Sequence, residues 1–223
     1  MLIVHHLNNS RSQRVLWLLE ELGISYEIRH YQRDAQTMLA PLQLRAIHPL
    51  GKAPIVTDGD RTIAESGAIL EYLVHVHGQG RLVPAADSDA HLRYTYWMHY
   101  AEGSVMPLLL LKLVFGRIAR PPVPALVRPV ARSIERAVEA RFIKPQLDLH
   151  MGFMEAELAK FEWFAGSEFT AADIQMSFPL EAAQKRGVLD TSRPRLLRWL
   201  ETIRARPAYR RALEKGGPYS LLE

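Results

Sequence analysis

Apolar residues recur along this chain with two different periods, and the change from one to the other divides it. Leu2-Ile3-Val4-His5-His6-Leu7 is a short run with the length and β-branched content of a buried strand. From Arg11 to Leu22, Val15, Leu16, Leu18, Leu19 and Leu22 fall on one broad helical face. Gly23 follows, where a left-handed cap stops a helix. Tyr26 to Tyr31 reads as a second strand and Met38 to Ile47 as a short or irregular helix. Ile55-Val56 opens a third strand, which Asp58-Gly59-Asp60 turns back into a fourth over Arg61-Thr62-Ile63. A further helix opens at Glu65-Ser66. A βαβ unit followed by ββα predicts a mixed sheet covered by helices on both faces.

Beyond Gly78-Gln79-Gly80 and Pro84 the strand pattern ceases. His91 to Phe115 reads as a long helix, and Val123 to Phe164 as another, bent or interrupted around Pro129 and Lys144-Pro145. Thr170 to Lys185, Pro194 to Arg206 and Pro207 to Lys215 complete the helical part. Thr170-Ala171-Ala172-Asp173 has capping-box spacing with Asp in place of the usual Glu, and Phe169 and Ile174 are placed to form a hydrophobic staple. The expectation is an α/β N-terminal domain of thioredoxin-like order over residues 1–78, a linker over 79–87 and an all-α C-terminal domain over 88–223.

Composition narrows the chemistry. The chain has no cysteine, which excludes disulfides, zinc–thiolate sites and any thiol supplied by the protein, and suits the cytoplasm. The chain begins directly on a strand pattern, with no signal-peptide architecture in front of it. The longest apolar run, Val105 to Phe115, contains Pro107 and Lys112 and is too short for a bilayer, so no membrane role is expected. A formal charge of +4 and a pI near 9.4 raise the question of nucleic acid. The basic residues are scattered and no recognised binding motif accompanies them, so none is expected. His5-His6, His75/His77 and His91/His99 lack acidic or cysteine companions at metal-ligand spacing, and no metal is expected.

The chemistry concentrates in two short blocks. In Gly51-Lys52-Ala53-Pro54-Ile55-Val56 the proline removes one ladder N–H at the start of a strand, leaving Ala53 with a free N–H and C=O that can pair with an extended peptide. In Ala64-Glu65-Ser66-Gly67 a carboxylate, a hydroxyl and unsatisfied helix N–H groups come together. Together they suit a small zwitterionic peptide. Asn8-Asn9-Ser10-Arg11-Ser12 links the first strand to the first helix; by itself it reads as a polar loop capping a helix.

These blocks, with Ile47-His48-Pro49-Leu50 before the first and Phe169-Thr170-Ala171-Ala172-Asp173 far downstream, resemble cytosolic glutathione transferases over nearly the whole chain, in a bacterial or fungal serine- or asparagine-type branch. The resemblance implies the thioredoxin-like and all-helical fold, a cis Ala53–Pro54 bond, a homodimer, and a role in detoxification with glutathione as co-substrate. The reaction it implies is attack of the glutathione thiolate on a small, mostly apolar electrophile. A free thiol has a pKa of about 8.5, and each unit of lowering takes about 1.4 kcal/mol of thiolate stabilisation. The loop holds no tyrosine, so the implied donor is Ser10 or Asn9. Ser12 is the expected helix cap, and Arg11 either forms part of the rim of the site or sits solvated. The resemblance gives Glu65 the γ-glutamyl ammonium, Ser66 the adjoining carboxylate, Ala53 the central cysteine backbone, Pro54 the shaping of that edge and Lys52 the glycyl carboxylate. His48 contacts the peptide or shapes the turn. Tyr100 and Met106 line the second-substrate site, and Glu102 approaches a partner subunit's ligand. A glutathione-dependent cis–trans isomerase and a non-catalytic glutathione-binding protein remain alternatives.

Overall fold

The computed structural model describes residues 1–34, 36–37 and 39–221. Four strands, β1 (Leu2–Leu7), β2 (Glu27–Tyr31), β3 (Ile55–Asp58) and β4 (Arg61–Ala64), form one sheet in the order β2-β1-β3-β4. β1 is parallel to β2, with Val4 opposite Ile28, and antiparallel to β3, with Val4 opposite Val56. β3 and β4 form the expected hairpin. Helices α1 (Ser12–Leu22), α2 (Gln43–Ile47) and α3 (Ser66–Tyr72) complete this half. Met38, where the sequence starts the second helix, lies outside the described residues.

The remainder is helical: α4 (Asp89–Tyr100), α5 (Met106–Phe115), α6 (Arg128–Val138), α7 (Lys144–Glu157), α8 (Ala171–Lys185), α9 (Pro194–Ala205) and α10 (Pro207–Gly216). The α/β-then-helical expectation holds. The two halves share one continuous core in which Val4, Leu16, Val56 and Ile69 meet Trp97, Phe164 and Ile174. Trp17 of α1 packs edge-on against Tyr209 of α10 and beside Phe169, so the first helix is gripped by the end of the chain.

The prolines act differently from the sequence reading. The second long helix begins at Arg128 rather than Val123: Pro124 disfavours helical backbone at the residue before it, and the chain makes single turns over Pro124 to Arg128 first. It ends at Glu157 rather than Phe164; Trp163 and Gly166 instead close a small bridge. Pro107 and Pro145 do not break their helices. Each stands two residues beyond a π turn, Ala101–Val105 and Glu139–Ile143 respectively. The wider turn accommodates the missing i→i−4 bond.

Candidate active site

The β1–α1 loop is held from several directions. Asn9 has φ +51°, a left-handed conformation that asparagine tolerates better than most residues. Its Oδ1 accepts a hydrogen bond from the Ser220 backbone N–H at 2.7 Å. Ser10 is buried: its Oγ lies 2.7 Å from Ser12 Oγ and accepts the Ser12 backbone N–H at 3.2 Å. Ser12 Oγ in turn lies 3.0 Å from His6 Nδ1 and 3.3 Å from the Leu7 carbonyl oxygen. Ser12 is therefore not the cap; Ser10 serves its N–H, and Ser12 ties the loop down to β1. Burial pushes the His6 imidazole down to about 4, with the neighbouring His30 acting in the same direction, so this buried ring is neutral at physiological pH.

Antiparallel pairing of His5 with Ile55 brings the residues before β3 alongside this loop. Ala53–Pro54 is a cis peptide; Pro54 is buried, Ala53 half-buried and Lys52 exposed. On the far side of β3, β4 delivers Glu65 and Ser66 to the start of α3. Glu65 is exposed and occupies φ 71°, ψ 124°, backbone geometry that costs a non-glycine residue on the order of 1–3 kcal/mol. Ser66 is buried, and its Oγ accepts from Arg14 Nη1 at 3.2 Å and from Gln175 Nε2 at 3.4 Å.

Arg14 is the residue sequence reasoning missed. Its guanidinium is almost completely buried, and Nη1 also donates to Glu102 Oε1 at 2.6 Å and to Gln175 Oε1 at 3.2 Å. Nε and Nη2 are buried without a hydrogen-bond partner. Arg11 donates to the same Glu102 oxygen at 2.8 Å, and both guanidinium groups lie over the Phe178 ring, at 4.8 and 5.2 Å from its centroid. Burial alone would raise the Glu102 carboxyl; Arg14 and Arg11 beside it hold it below its ordinary value. One carboxylate thus faces two guanidinium groups at the base of Ser66, an environment suited to a second, exogenous carboxylate.

The N-terminal domain model of glutathione S-transferases matches residues 1–75, and the corresponding C-terminal domain model matches residues 125–207. The chain belongs to the glutathione S-transferase family. It is 38% identical to glutathione S-transferase 3 of Schizosaccharomyces pombe, over 96% of this chain and 88% of that protein. It is 34% identical to glutathione S-transferase 1 of Saccharomyces cerevisiae, over 95% and 94%. The crystal structure of a glutathione S-transferase from Actinobacillus pleuropneumoniae superposes with a TM-score of 0.81 at 31% identity, covering 100% of this chain and 96% of that one.

Within this transferase the remaining candidates separate. The His48 N–H donates to the Leu44 carbonyl oxygen and its own carbonyl accepts the Gly51 N–H at 2.8 Å, so His48 shapes the turn leading to Ala53. Glu102 meets Arg11 and Arg14 of its own chain. Met106 stands one helical turn beyond Glu102 and is nearly buried. Tyr100 projects from a different face of its helix: its hydroxyl bonds His150 of α7, and its ring stacks on Tyr96 and contacts Phe153. That placement turns Tyr100 away from the face that carries Glu102 toward the loop. Beyond Lys52, a cavity of about 420 Å³ is lined by Arg33, Arg45, Asp34 and Leu50 among others. Among the described residues no group of His, Cys, Asp or Glu is arranged to hold a metal, and no helix is long and apolar enough to cross a membrane.

Proposed function

We propose that this transferase binds glutathione along the edge formed by Lys52, Ala53 and Pro54 and by the start of α3, and activates its thiol for attack on a small electrophile. The support is the convergence on Ser66 of a helix start, the buried Arg14 and the exposed Glu65. Ser66 and Arg14 receive the γ-glutamyl carboxylate and Glu65 its ammonium. The Ala53 backbone pairs with the central cysteine, with Pro54 and His48 fixing that edge, and Lys52 meets the glycyl carboxylate at the mouth of the cationic cavity. Ser10 or Asn9 is the loop donor for the sulfur. Met106 borders the second substrate; Tyr100 contributes through packing.

The reaction forms a carbon–sulfur bond by conjugate addition or by displacement of a leaving group. Proximity and thiolate stabilisation supply the catalysis. The working unit is a homodimer acting in the cytoplasm in detoxification, with a glutathione-binding domain over 1–78, a linker over 79–87 and a helical domain over 88–223. It needs no metal, and neither nucleic acid nor membrane is a partner.

Isothermal titration calorimetry with reduced glutathione, followed by chromatography of the product formed with a chlorinated nitroaromatic electrophile, tests the proposal. Saturable uptake and a stable thioether product support it. No uptake at millimolar glutathione overturns it. Uptake with a cis-alkene substrate returned as its trans isomer, and no thioether from any electrophile, assigns the isomerase chemistry instead.

A further inference from the structure

Asn9 and Ser10 are adjacent, yet their polar atoms are committed in opposite ways. Ser12 Oγ has one proton, and two partners lie on its β1 side: the Leu7 carbonyl oxygen at 3.3 Å, which can only accept, and His6 Nδ1 at 3.0 Å. With that proton directed to β1, Ser12 Oγ accepts from Ser10 across the 2.7 Å contact. The Ser10 proton therefore points inward, toward β1.

The Asn9 amide is oriented by the opposite kind of partner. A primary amide has one accepting and one donating end, and the Ser220 N–H at 2.7 Å takes the accepting end. Nδ2 is left to donate. The preceding amide, Asn8, spends its Oδ1 on the Arg33 N–H at 2.9 Å, on the β2 flank of β1. The Ala53 edge lies on the other flank, because β1 sits between β2 and β3.

The partner of Asn9 belongs to a strap with a firm foothold. Gly216 ends α10 so close to α1 that a Cβ there would come within 2.5 Å of Gln13 Oε1, and Gly217 turns the chain at φ +80°. Tyr219 then buries its ring and donates to Glu181 Oε2 at 3.0 Å, while the other Glu181 oxygen accepts from Tyr209. Glu181 is itself buried in α8.

Building on the glutathione reading above, we propose that the Tyr219–Ser220 strap is a positioning element for catalysis: it holds Asn9 Oδ1 so that Asn9 Nδ2, rather than the Ser10 hydroxyl, donates to the glutathione sulfur. Glu181 acts through Tyr219, and Tyr219 through the backbone of Ser220. The left-handed backbone of Asn9, which the strap helps to retain, aims the amide.

The test is an ultraviolet thiolate titration of glutathione bound to the full-length protein, with affinity measured in parallel. Ser220→Pro deletes the N–H and Ser220→Ala keeps it. The bound-thiol pKa is expected to rise by about one pH unit in Ser220→Pro and Asn9→Ala, a tenfold loss of thiolate below the pKa. Ser220→Ala stays at the wild-type value, and Ser10→Ala shifts less than Asn9→Ala. Wild-type titration in Ser220→Pro with affinity retained overturns the proposal, as does a larger rise in Ser10→Ala than in Asn9→Ala. If the proline variant does not fold, Tyr219→Phe decides: a raised thiol pKa supports the strap and an unchanged one rejects it. Failure of the glutathione reading is separate, because the wild-type protein itself would then take up no glutathione or leave its thiol titrating as in free solution.

Discussion

Asp173 and Arg14 are both charged and both buried, one in α8 and one in α1 against it, and they differ in how completely their hydrogen bonds are made. Asp173 Oδ1 accepts from the Phe164 N–H at 3.0 Å and from Trp199 Nε1 at 3.3 Å; Oδ2 accepts from the Thr170 N–H at 3.0 Å and the Thr170 hydroxyl at 3.2 Å. Every group around that carboxyl belongs to the chain, and its role is to close the capping box and pin the segment before α8. Arg14 instead crowds three bonds onto Nη1 and leaves Nε and Nη2 without partners. A buried donor left unsatisfied costs about 1–3 kcal/mol, so an exogenous carboxylate accepting from Nε or Nη2 would recover that cost. On the function proposed above, the satisfied charge serves the fold and the unsatisfied one serves the ligand.

Asp173→Ala gives the largest effect expected from this contrast. It strands three buried N–H donors at about 1 kcal/mol each, one of them the Thr170 N–H that closes the capping box. Urea unfolding should therefore show a loss of about 3 kcal/mol, with glutathione affinity of the remaining folded protein unchanged; a loss under about 1 kcal/mol would dissolve the contrast. Arg14→Met is expected to do the reverse. Glutathione affinity should fall by about 2 kcal/mol, the size of a bond to a charged partner, while unfolding free energy moves by less than about 1 kcal/mol. Equal losses in both measurements would make Arg14 a structural residue.

Glu65→Gly sharpens the same distinction at an exposed position. Glycine accepts positive φ, so stability should rise by about 0.5–1 kcal/mol, whereas calorimetry should show glutathione bound about tenfold more weakly. Unchanged affinity would remove Glu65 from the site.

The last effect is a pH dependence. Burial pushes the Asp173 carboxyl up to about 6 from an ordinary 3.8, against the pull of its donors. Below pH 3.8 both the folded and the unfolded chain hold this proton. Between 3.8 and about 6 only the folded chain does, so the folded state binds the extra proton and its stability falls as pH rises. Above 6 that loss is complete. The urea midpoint of the wild type, relative to a non-titrating Asp173→Asn variant, should decline across this window; a rising difference would contradict the assigned direction.

What the chain declares locally proved readable. Gly51 to Val56, the Asp58-Gly59-Asp60 turn, Glu65-Ser66 and Thr170 to Asp173 lie where their chemistry predicts, because a proline, a hairpin turn or a cap acts on neighbours a few residues away. The periodicity also placed the change from sheet to helical bundle. Pro145 was legible as a disturbance in the second long helix, which passes it through a π turn, whereas the π turn before Pro107 in the first was not. The polar constellation was hidden altogether. Arg14 reaches Gln175 across 161 positions and Asn9 is held by Ser220 across 211. Hydrophobic period says which face of a helix is buried, but not which polar side chain on another element will be buried beside it. Composition and spacing therefore determined the elements and the proline-marked edge before β3, while closure of α8 and the C-terminal strap onto α1 decided which polar groups meet there.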